Sequence, residues 1–307
     1  MRKYYTPIEM KNVRYLCERR KKLNIGIVGA GLMGRWHANS AKRAGGHISA
    51  IVDTNIYASK CLADQYSDAK NFSSVQQMLE HTKPDVLHIC TPLDTHVRIA
   101  EFAIDAGINL IIEKPITPTA AEAERILKQA SSNGILVCAV HQFIFQDGVQ
   151  KAKKFLSKIG RLIHIQSTIC SAGAVGYSEK QSDFIATDIL PHPLSLMQYF
   201  SPGSIFSKNW TMIRAGYGEL RAFCKAEEIT LSIFISMNAR PTECSLQIIG
   251  TNGVLYVDLF NGFAFIESAK VSRMRKIMHP FSHSANMFFT AFVNLGRRVI
   301  QRELAYP

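Results

Sequence analysis

Over roughly the first 145 residues, short apolar runs alternate with longer segments in which apolar residues recur every three or four positions. Short runs rich in Val, Ile and Leu are typical of strands buried on both faces of a parallel sheet. Strands are predicted over residues 23–28, 47–52, 85–90, 108–113 and 135–140. Helices are predicted over residues 35–44, 56–66, 74–81, 95–106 and 119–132. This alternation predicts an α/β domain with helices on both faces of its sheet.

Beyond about residue 145 the pattern changes to consecutive strands with few helices between them. Strands are predicted over residues 162–170, 210–215, 219–225, 229–237, 243–249 and 254–259. Helices are predicted over residues 147–159, about 184–199 and about 283–302. This order indicates a second domain of the α+β class, with an open and mainly antiparallel sheet. We therefore expect a basic N-terminal extension over residues 1–22, a first domain over 23–145 and a second over 146–307.

The first predicted strand runs into a glycine motif of the form G-x-G-x-x-G, and a predicted helix follows it. The motif consists of Gly29, Ala30, Gly31, Leu32, Met33 and Gly34. In this context the first glycine permits a tight turn, the second lets the backbone approach a pyrophosphate, and the third lets the helix pack on the strand. The motif predicts that the first domain is a Rossmann domain that binds a dinucleotide. The alternative is a glycine-rich turn with a packing role only.

Asp53 closes the second predicted strand and lies 19 residues after Gly34. This is close to the spacing of the acid that binds the ribose hydroxyls of a dinucleotide. A carboxylate would repel a 2′-phosphate, and no arginine occurs in the next three residues, 54–56. We therefore expect NAD(H) to be the preferred cofactor, with NADP(H) possible.

A charged pair and a proline follow the strand at residues 108–112, in the order Glu113, Lys114, Pro115. Proline lacks an N–H and cannot continue a central strand. It also restricts the residue before it to extended geometry. Ligands bind at the carboxyl edge of open α/β sheets. The segment therefore predicts that Lys114 is held firmly at a binding site, and the alternative is a surface turn.

The composition, 47% hydrophobic and 20% charged, is that of a globular protein. No apolar run reaches the roughly 18–20 residues of a membrane span, and no secretory signal is visible. The seven cysteines are scattered without a C-x-x-C pair. They indicate a reducing, cytoplasmic setting, and no metal site is expected.

The net charge of +12 is concentrated at the two ends of the chain. Residues 1–22 and residues 268–307 each contribute +6, and residues 23–267 are neutral. A nucleic-acid-binding domain would carry its basic residues on the folded body. Neither nucleic acid nor a membrane is therefore expected as a partner. The basic ends are interpreted as solvated or subunit-packing surface, or as a contact with an anionic partner or substrate group.

Three segments occur together in this order: residues 28–34, the segment Thr91-Pro92-Leu93-Asp94-Thr95-His96, and the segment Glu113-Lys114-Pro115-Ile116. Together they resemble the glucose–fructose oxidoreductase / inositol dehydrogenase (Gfo/Idh/MocA) family over roughly residues 23–260. The resemblance implies a Rossmann domain followed by a domain that carries the substrate and often subunit contacts. It also implies that Thr91, Pro92, His96, Glu113 and Lys114 contact the cofactor.

The family usually carries an Asp and a His four residues apart on one helix, and Asp188 and His192 match that spacing. The expectation is that both side chains project from one helix face. The sequence departs from the family pattern elsewhere. Residues 181–187 replace a glycine-rich stretch, Ser195 stands where an Asp is common, and residues 141–145 lack a common Arg. These departures affect the choice of substrate more than the chemistry.

The resemblance implies hydride transfer between nicotinamide and a carbon that bears a hydroxyl or carbonyl group, in a sugar, cyclitol or related molecule. His192 is the expected acid–base group, Lys114 would polarise the substrate oxygen, and Asp188 would orient His192 or bind a neighbouring hydroxyl. His141 and Gln142 are expected to line the substrate pocket. His88 and His96 are interpreted as mainly structural.

Two alternatives remain open. One is a reductase of a C=N or conjugated bond in specialised metabolism, with a less polar pocket formed by residues 141–146 and 181–187. The other is a dinucleotide-sensing protein without turnover.

Strands 229–237 and 243–249 carry apolar residues at both odd and even positions, and therefore on both faces of the predicted sheet. Examples are Ile229, Leu231, Ile233, Phe234 and Ile235. An exposed apolar sheet face must be covered, so we expect a homodimer or homotetramer.

Overall fold

A computed structural model of the protein describes residues 22–205, 208–268 and 273–301. The chain divides into two compact units between Val140 and His141. The boundary predicted from the sequence lies five residues further along the chain. Residues 1–21 of the expected N-terminal extension lie outside the described residues.

The first unit contains a six-stranded sheet in which all neighbouring strands are parallel. The strands are β1 (Asn24–Val28), β2 (His47–Val52), β3 (Lys70–Phe72), β4 (Val86–Ile89), β5 (Asn109–Ile112) and β6 (Val137–Ala139). The helices are α1 (Leu32–Arg43), α2 (Ile56–Ala63), α3 (Val75–His81), α4 (Leu93–Asp105) and α5 (Ala120–Ser132). The strand order is β3-β2-β1-β4-β5-β6. This confirms the predicted Rossmann fold, to which the structure adds the short strand β3.

Helices cover both faces of this sheet because successive side chains along a strand point to opposite faces. On one face Ile25 and Ile27 of β1 pack with Ala38 of α1 and Leu62 of α2. On the other face residues of β4 and β5 pack against α3, α4 and α5. The result is two apolar cores, one on each side of the sheet.

The strand register aligns the carboxyl ends of the central strands. Val28 lies beside Ile89, Ile89 beside Ile112, and Ile112 beside Ala139. The segments that follow these residues therefore leave the sheet at one edge. The strand order reverses between β1 and β4, which is where open α/β sheets bind nucleotides.

The second unit contains a seven-stranded sheet of order β13-β12-β11-β7-β10-β9-β8. Its strands are β7 (Leu162–Cys170), β8 (Trp210–Gly216), β9 (Glu219–Ala226), β10 (Ile229–Ser236), β11 (Glu243–Gly250), β12 (Gly253–Asp258) and β13 (Phe263–Ser268). Its helices are α6 (Asp147–Phe155), α7 (Glu179–Ile189), α8 (Pro191–Phe200) and α9 (Arg273–Gln301), and 3₁₀ turns cover Gln142–Phe145 and Leu156–Ile159. Only the β7–β10 pair is parallel among these neighbours, which confirms a mainly antiparallel sheet.

The prediction of one helix over 184–199 was wrong, because two helices, α7 and α8, meet at Leu190. Pro191 and Pro193 have no N–H with which to continue the hydrogen bonding of α7. α7 also begins earlier than predicted, because Ser178 and Gln181 form a capping box at its start.

The predicted helix over 283–302 begins ten residues earlier, at Arg273, and Pro280 lies inside it. A proline in a helix interior is unfavourable, so the sequence favoured a later start. Strand β13 was not predicted, although Asn261 and Gly262 before it form a common hairpin signal.

The apolar residues named in the strand at 229–237 are divided between the two faces of the sheet. Ile229, Leu231, Ile233 and Ile235 are all buried in the core of the second unit. Phe234, the fifth residue named in that prediction, is only partly buried. The strand therefore has the alternating pattern of a sheet with one face packed and one face partly exposed.

Among the described residues, no helix has the length and apolarity that crossing a membrane would require.

Candidate active site

The glycine motif forms the turn between β1 and α1. Gly29 has φ of +97°, and a Cβ placed there would lie 2.5 Å from the carbonyl oxygen of Cys90. A Cβ on Gly34 would lie 1.7 Å from the carbonyl oxygen of Gly29. Only glycine therefore fits at these two positions, where the turn and the helix approach each other closely.

The amino end of α1 has the features of an anion-binding site. A Cβ on Gly31, which is the N-cap, would meet no atom within 4 Å, so the space beside this backbone is open. No side chain caps the helix, and its first turn has no acidic residue. The unpaired N–H groups and the positive end of the helix dipole favour a phosphate group here. The residues therefore fit a dinucleotide pyrophosphate.

Asp53 connects the end of β2 to the glycine turn. Its Oδ2 accepts a hydrogen bond of 2.7 Å from the backbone N–H of Ala30, and its Oδ1 accepts one of 2.8 Å from that of Asn55. Each carboxylate oxygen has a second lone pair for another donor. The side chain is therefore fixed beside the turn and can still accept hydrogen bonds from ribose hydroxyls.

A buried polar cluster holds Glu113 at the end of β5. The Nε2 of His37 lies 2.9 Å from Oε1 of Glu113, and the Nδ1 of His37 lies 3.0 Å from the Nδ1 of His88. Because a carboxylate only accepts, His37 donates from Nε2. Between the two Nδ1 atoms, one imidazole donates and the other accepts. The cluster links α1, β4 and β5 at the carboxyl edge of the sheet.

The pKa values of this cluster are shifted from their ordinary values. Burial, reinforced by the charge of His37, lowers the pKa of His88 to about 4. Burial alone would raise the pKa of Glu113, but the hydrogen bond and charge of His37, with the amide and charge of Lys114, lower it overall. At neutral pH Glu113 is therefore a carboxylate and His88 a neutral imidazole.

His96 on α4 connects the two loops that follow β4 and β5. Its Nδ1 lies 3.0 Å from the carbonyl oxygen of Pro115, and its Nε2 lies 2.8 Å from that of Thr91. The side chain is almost fully buried. We therefore assign His96 to positioning the loops of Thr91-Pro92 and Lys114-Pro115.

Lys114 lies at the carboxyl edge of the sheet, as the motif predicted. Its backbone N–H donates to Oε2 of Glu113 at 3.2 Å, and its peptide bond to Pro115 is cis. The carboxylate of Glu113 therefore fixes the backbone from which the Lys114 ammonium extends.

In the second unit, Asp188 is near the end of α7 and His192 is in the first turn of α8. The expectation that both lie on one continuous helix was therefore wrong. Leu190 between them keeps helical dihedral angles, φ −53° and ψ −35°. The two residues consequently remain about one helical turn apart although the hydrogen bonding is interrupted.

The segment after Val140 lies close to α8 within the second unit. The ring of Phe143 packs edge-on against the ring of His192, with 5.0 Å between the ring centroids. His141 and Gln142 directly precede Phe143, so the predicted substrate-lining segment and the predicted acid–base residue are neighbours. Phe143 also packs against the apolar core of the second unit, and the sequence did not predict its contact with His192.

A cleft of about 520 Å³ opens at the amino end of α7. Its hydrogen-bonding residues are Tyr177, Glu179, Ser182, Tyr217, Glu219 and Asn238. Glu179 precedes Asp188 by nine residues along α7, which corresponds to about 14 Å. The cleft is therefore distinct from the position of Asp188 and His192, and the sequence did not predict it.

His37 is the residue of this site that sequence reasoning missed. The indication in the sequence was that His37 follows Gly34 by three residues. From this position in α1 its side chain reaches Glu113 at the end of β5. Among the described residues, no group of three His, Cys, Asp or Glu side chains is arranged to hold a metal ion.

The first unit is thus a dinucleotide-binding domain in its fold and in the geometry of its glycine turn. Residues 23–141 match the profile of the Gfo/Idh/MocA oxidoreductase family, described as having an NAD-binding Rossmann fold. This match covers the first unit, which is therefore similar to the NAD-binding domain of that family.

A curated relative shows the same likeness over part of its length. The chain is 30% identical over 110 residues to an inositol 2-dehydrogenase of Corynebacterium glutamicum. The matched region covers 35% of this chain and 33% of that protein. The match thus spans about a third of the relative's length.

Solved structures extend the likeness to both units. UDP-N-acetylglucosamine 3-dehydrogenase from Acidithiobacillus ferrooxidans aligns with a TM-score of 0.70 and 19% identity, over 83% of this chain and 84% of that one. A levoglucosan dehydrogenase in complex with NADH and levoglucosan aligns with a TM-score of 0.72 and 20% identity, over 83% and 78% of the two chains. These alignments show that the fold is shared.

Proposed function

We propose that the protein is an NAD(H)-dependent oxidoreductase that transfers a hydride between nicotinamide and a hydroxyl or carbonyl carbon of a sugar, cyclitol or related molecule. The observation that carries this proposal is the buried cluster of His37, His88 and Glu113. It fixes Lys114 at the sheet edge that also carries the glycine turn. A cation built into the nucleotide-binding edge suits a reaction in which an oxygen gains negative charge.

The bound nicotinamide would supply or accept the hydride, and the chain's own residues would control the oxygen and its proton. Lys114 would polarise a substrate carbonyl, or stabilise the alkoxide formed from a hydroxyl. His192 would donate or accept the proton, since an imidazole titrates near neutral pH. Asp188 would orient His192 or bind a neighbouring hydroxyl. Glu113 and His96 would position Lys114 through the backbone.

Thr91 and Pro92 are proposed to contact the cofactor together with residues 29–34, Asp53, Glu113 and Lys114. His141 and Gln142 are proposed to line the substrate site, because the segment that contains them packs on the helix of His192. NAD(H) is proposed over NADP(H), because the carboxylate of Asp53 is fixed beside the glycine turn.

The names of the relatives support a polyhydroxylated substrate. The proteins similar to this chain include an inositol 2-dehydrogenase, a UDP-N-acetylglucosamine 3-dehydrogenase and a levoglucosan dehydrogenase. A ring with several hydroxyls also suits the proposed functional groups, because an ammonium, a carboxylate and an imidazole can each form a hydrogen bond with a hydroxyl.

A reductase of a C=N or conjugated bond is the second candidate. It is favoured by the contact between Phe143 and His192, because an aromatic ring against the acid–base group makes this part of the site less polar. A turnover assay that includes imines among the substrates separates the two candidates.

We also propose that the protein assembles as a homodimer or homotetramer and works in the cytoplasm. Met212, Ile213 and Phe223 expose much of their apolar surface on β8 and β9, at one end of the second sheet. The six described cysteines are all free thiols, which suits a reducing compartment. Light scattering at micromolar concentration tests the assembly, and a monomer would contradict it.

The function is tested by following the absorbance of reduced nicotinamide while purified protein is offered panels of sugars, cyclitols, nucleotide sugars and imines with NAD(H) or NADP(H). We expect turnover with a member of the first three panels and a preference for NAD(H). Turnover confined to imines would favour the second candidate. NADH binding without turnover on any panel would favour the sensing alternative.

A further inference from the structure

Helix α9 turns its polar side toward the body of the second unit. The carboxylate of Glu267 on β13 contacts His279 at 3.1 Å and His283 at 2.5 Å. The ring of His283 also packs edge-on against Tyr256 and Phe265. These contacts fix the amino-terminal half of the helix through its imidazoles.

The other half of α9 is held in the same way. Arg297 forms an ion pair of 2.7 Å with Asp147 at the start of α6. Asn294 donates a hydrogen bond of 2.7 Å to the carbonyl oxygen of Asn261, and Arg298 approaches the same oxygen. The polar contacts therefore recur along the helix and determine which side faces the sheet.

The opposite side of α9 is apolar and exposed. Large apolar residues that each expose between 61% and 69% of their surface recur at helical spacing, among them Ile277, Phe281, Phe288, Phe292, Leu295 and Val299. They form a stripe about 33 Å long on one helix face. Within the described residues nothing covers the stripe, and exposed apolar patches of this size mark interaction sites. Rotating the helix to bury the stripe would break the contacts with Glu267, Asp147 and Asn261.

The charge of α9 identifies the partner. Residues 273–301 contain five Lys and Arg residues and no Asp or Glu. A basic amphipathic helix with aromatic residues on its apolar side is the type that lies in the surface of an anionic membrane. A second copy of the chain would bring two acid-free cationic helices together, and like charges oppose that contact. Anionic headgroups would instead be attracted to a helix of net positive charge.

We propose that α9 is an interfacial helix that attaches the protein to the surface of an anionic lipid bilayer, with its phenylalanine-rich stripe in the headgroup region. Such a helix lies in the plane of the surface and does not cross it. The sequence did not predict attachment to a membrane. This attachment does not depend on the proposed reaction.

The test is flotation of the full chain with vesicles of phosphatidylglycerol and phosphatidylcholine, and with vesicles of phosphatidylcholine alone. The test variant is Phe288→Ser/Phe292→Ser. The matched control is Leu136→Ser/Ile163→Ser, which removes two exposed apolar side chains outside α9. Circular dichroism and NADH binding establish that each variant is folded.

We expect the protein to float with the anionic vesicles, less with the neutral ones, and less at high salt because salt screens the charges. Vesicle affinity should fall at least about tenfold in Phe288→Ser/Phe292→Ser, since burying one phenylalanine is enough for such a change, and should not change in the control. Flotation that is unaffected by the phenylalanine substitutions would overturn the proposal. The absence of flotation would also overturn it. If the protein instead self-associates and only Phe288→Ser/Phe292→Ser loses this self-association, the apolar stripe binds a second copy of the chain.

Discussion

The two units hold their candidate site residues in different ways. In the first unit, the glycine turn, Asp53 and Glu113 lie at the carboxyl ends of three strands of one parallel sheet, and backbone N–H groups or an imidazole bind the carboxylates. In the second unit, Asp188 and His192 lie on two helices that meet at Leu190, and Asp188 is exposed. The first arrangement is determined by strand register, whereas the second depends on how two helices join. Cofactor binding and proton transfer should therefore respond separately to substitution.

The largest expected effect is on Lys114, which the first unit fixes rigidly through Glu113. Lys114→Ala should lower turnover by about 10²–10⁴-fold, the usual contribution of a group that stabilises or exchanges a proton. NADH affinity should change little, because Lys114 is not proposed as a pyrophosphate ligand. Steady-state turnover and NADH fluorescence titration measure the two effects. Lys128→Ala, on the exposed side of α5, is the control, and equal turnover in both variants would refute the assigned role.

Removing His37 tests whether the cluster supports the sheet edge. His37→Ala removes the hydrogen bond from the imidazole to the Glu113 carboxylate, and a hydrogen bond to a charged group contributes about 1.5–3 kcal/mol to the free energy of unfolding. Thermal and denaturant unfolding provide the measurement. The surface variant His81→Ala should be close to wild type. A His37→Ala protein as stable as this control would show that the cluster contributes nothing to stability.

The pKa of His88 predicts how stability depends on pH. It is lowered to about 4 in the folded protein, so the unfolded chain takes up a proton first as the pH falls below the ordinary value of 6.5. The contribution of His88 to the free energy of unfolding is therefore complete above about pH 6.5, and it decreases by about 3 kcal/mol as the pH falls to 4. Denaturant titrations across this range should show the decline. In His88→Gln, whose amide can still donate to His37, the slope should be smaller, and an unchanged slope would assign it to other groups.

The smallest expected effect is on cofactor choice. Asp53→Ala removes the proposed ribose acceptor and the hydrogen bond to Ala30, so NADH affinity should fall about tenfold, which corresponds to about 1.4 kcal/mol. Discrimination against NADPH should fall as well, because the negative charge is gone. Titrations of both cofactors test this, with Asp64→Ala as the control. Tighter binding of NADPH than of NADH by the unmodified protein would contradict the role of Asp53.

The sequence predicted the first unit well because its signals are local. A glycine turn, a proline after a strand and an acid at the end of a strand each act within a few residues. His37 was missed because its partner, Glu113, is 76 residues away and only the strand register brings them together.

The second unit was harder to predict because its decisive features compete with one another. The prolines at 191 and 193 suit a helix start, yet the helical pattern continues through them, and the sequence suggested one helix where two exist. In α9, Pro280 concealed the true start of the helix. The outward orientation of its apolar side follows from polar contacts with distant residues, which no periodicity reveals.

Proton transfer by His192 is tested most directly by the rate of hydride transfer in a single turnover of the His192→Ala protein. With a substrate from the panel, His192→Ala should transfer hydride about 10²–10⁴-fold more slowly than wild type, while its NADH affinity is unchanged. His164→Ala should keep the wild-type rate, because this imidazole forms hydrogen bonds with Thr230 and Ser232 on the second sheet. A His192→Ala protein that transfers hydride at the full rate would contradict the assignment of proton transfer to the second unit.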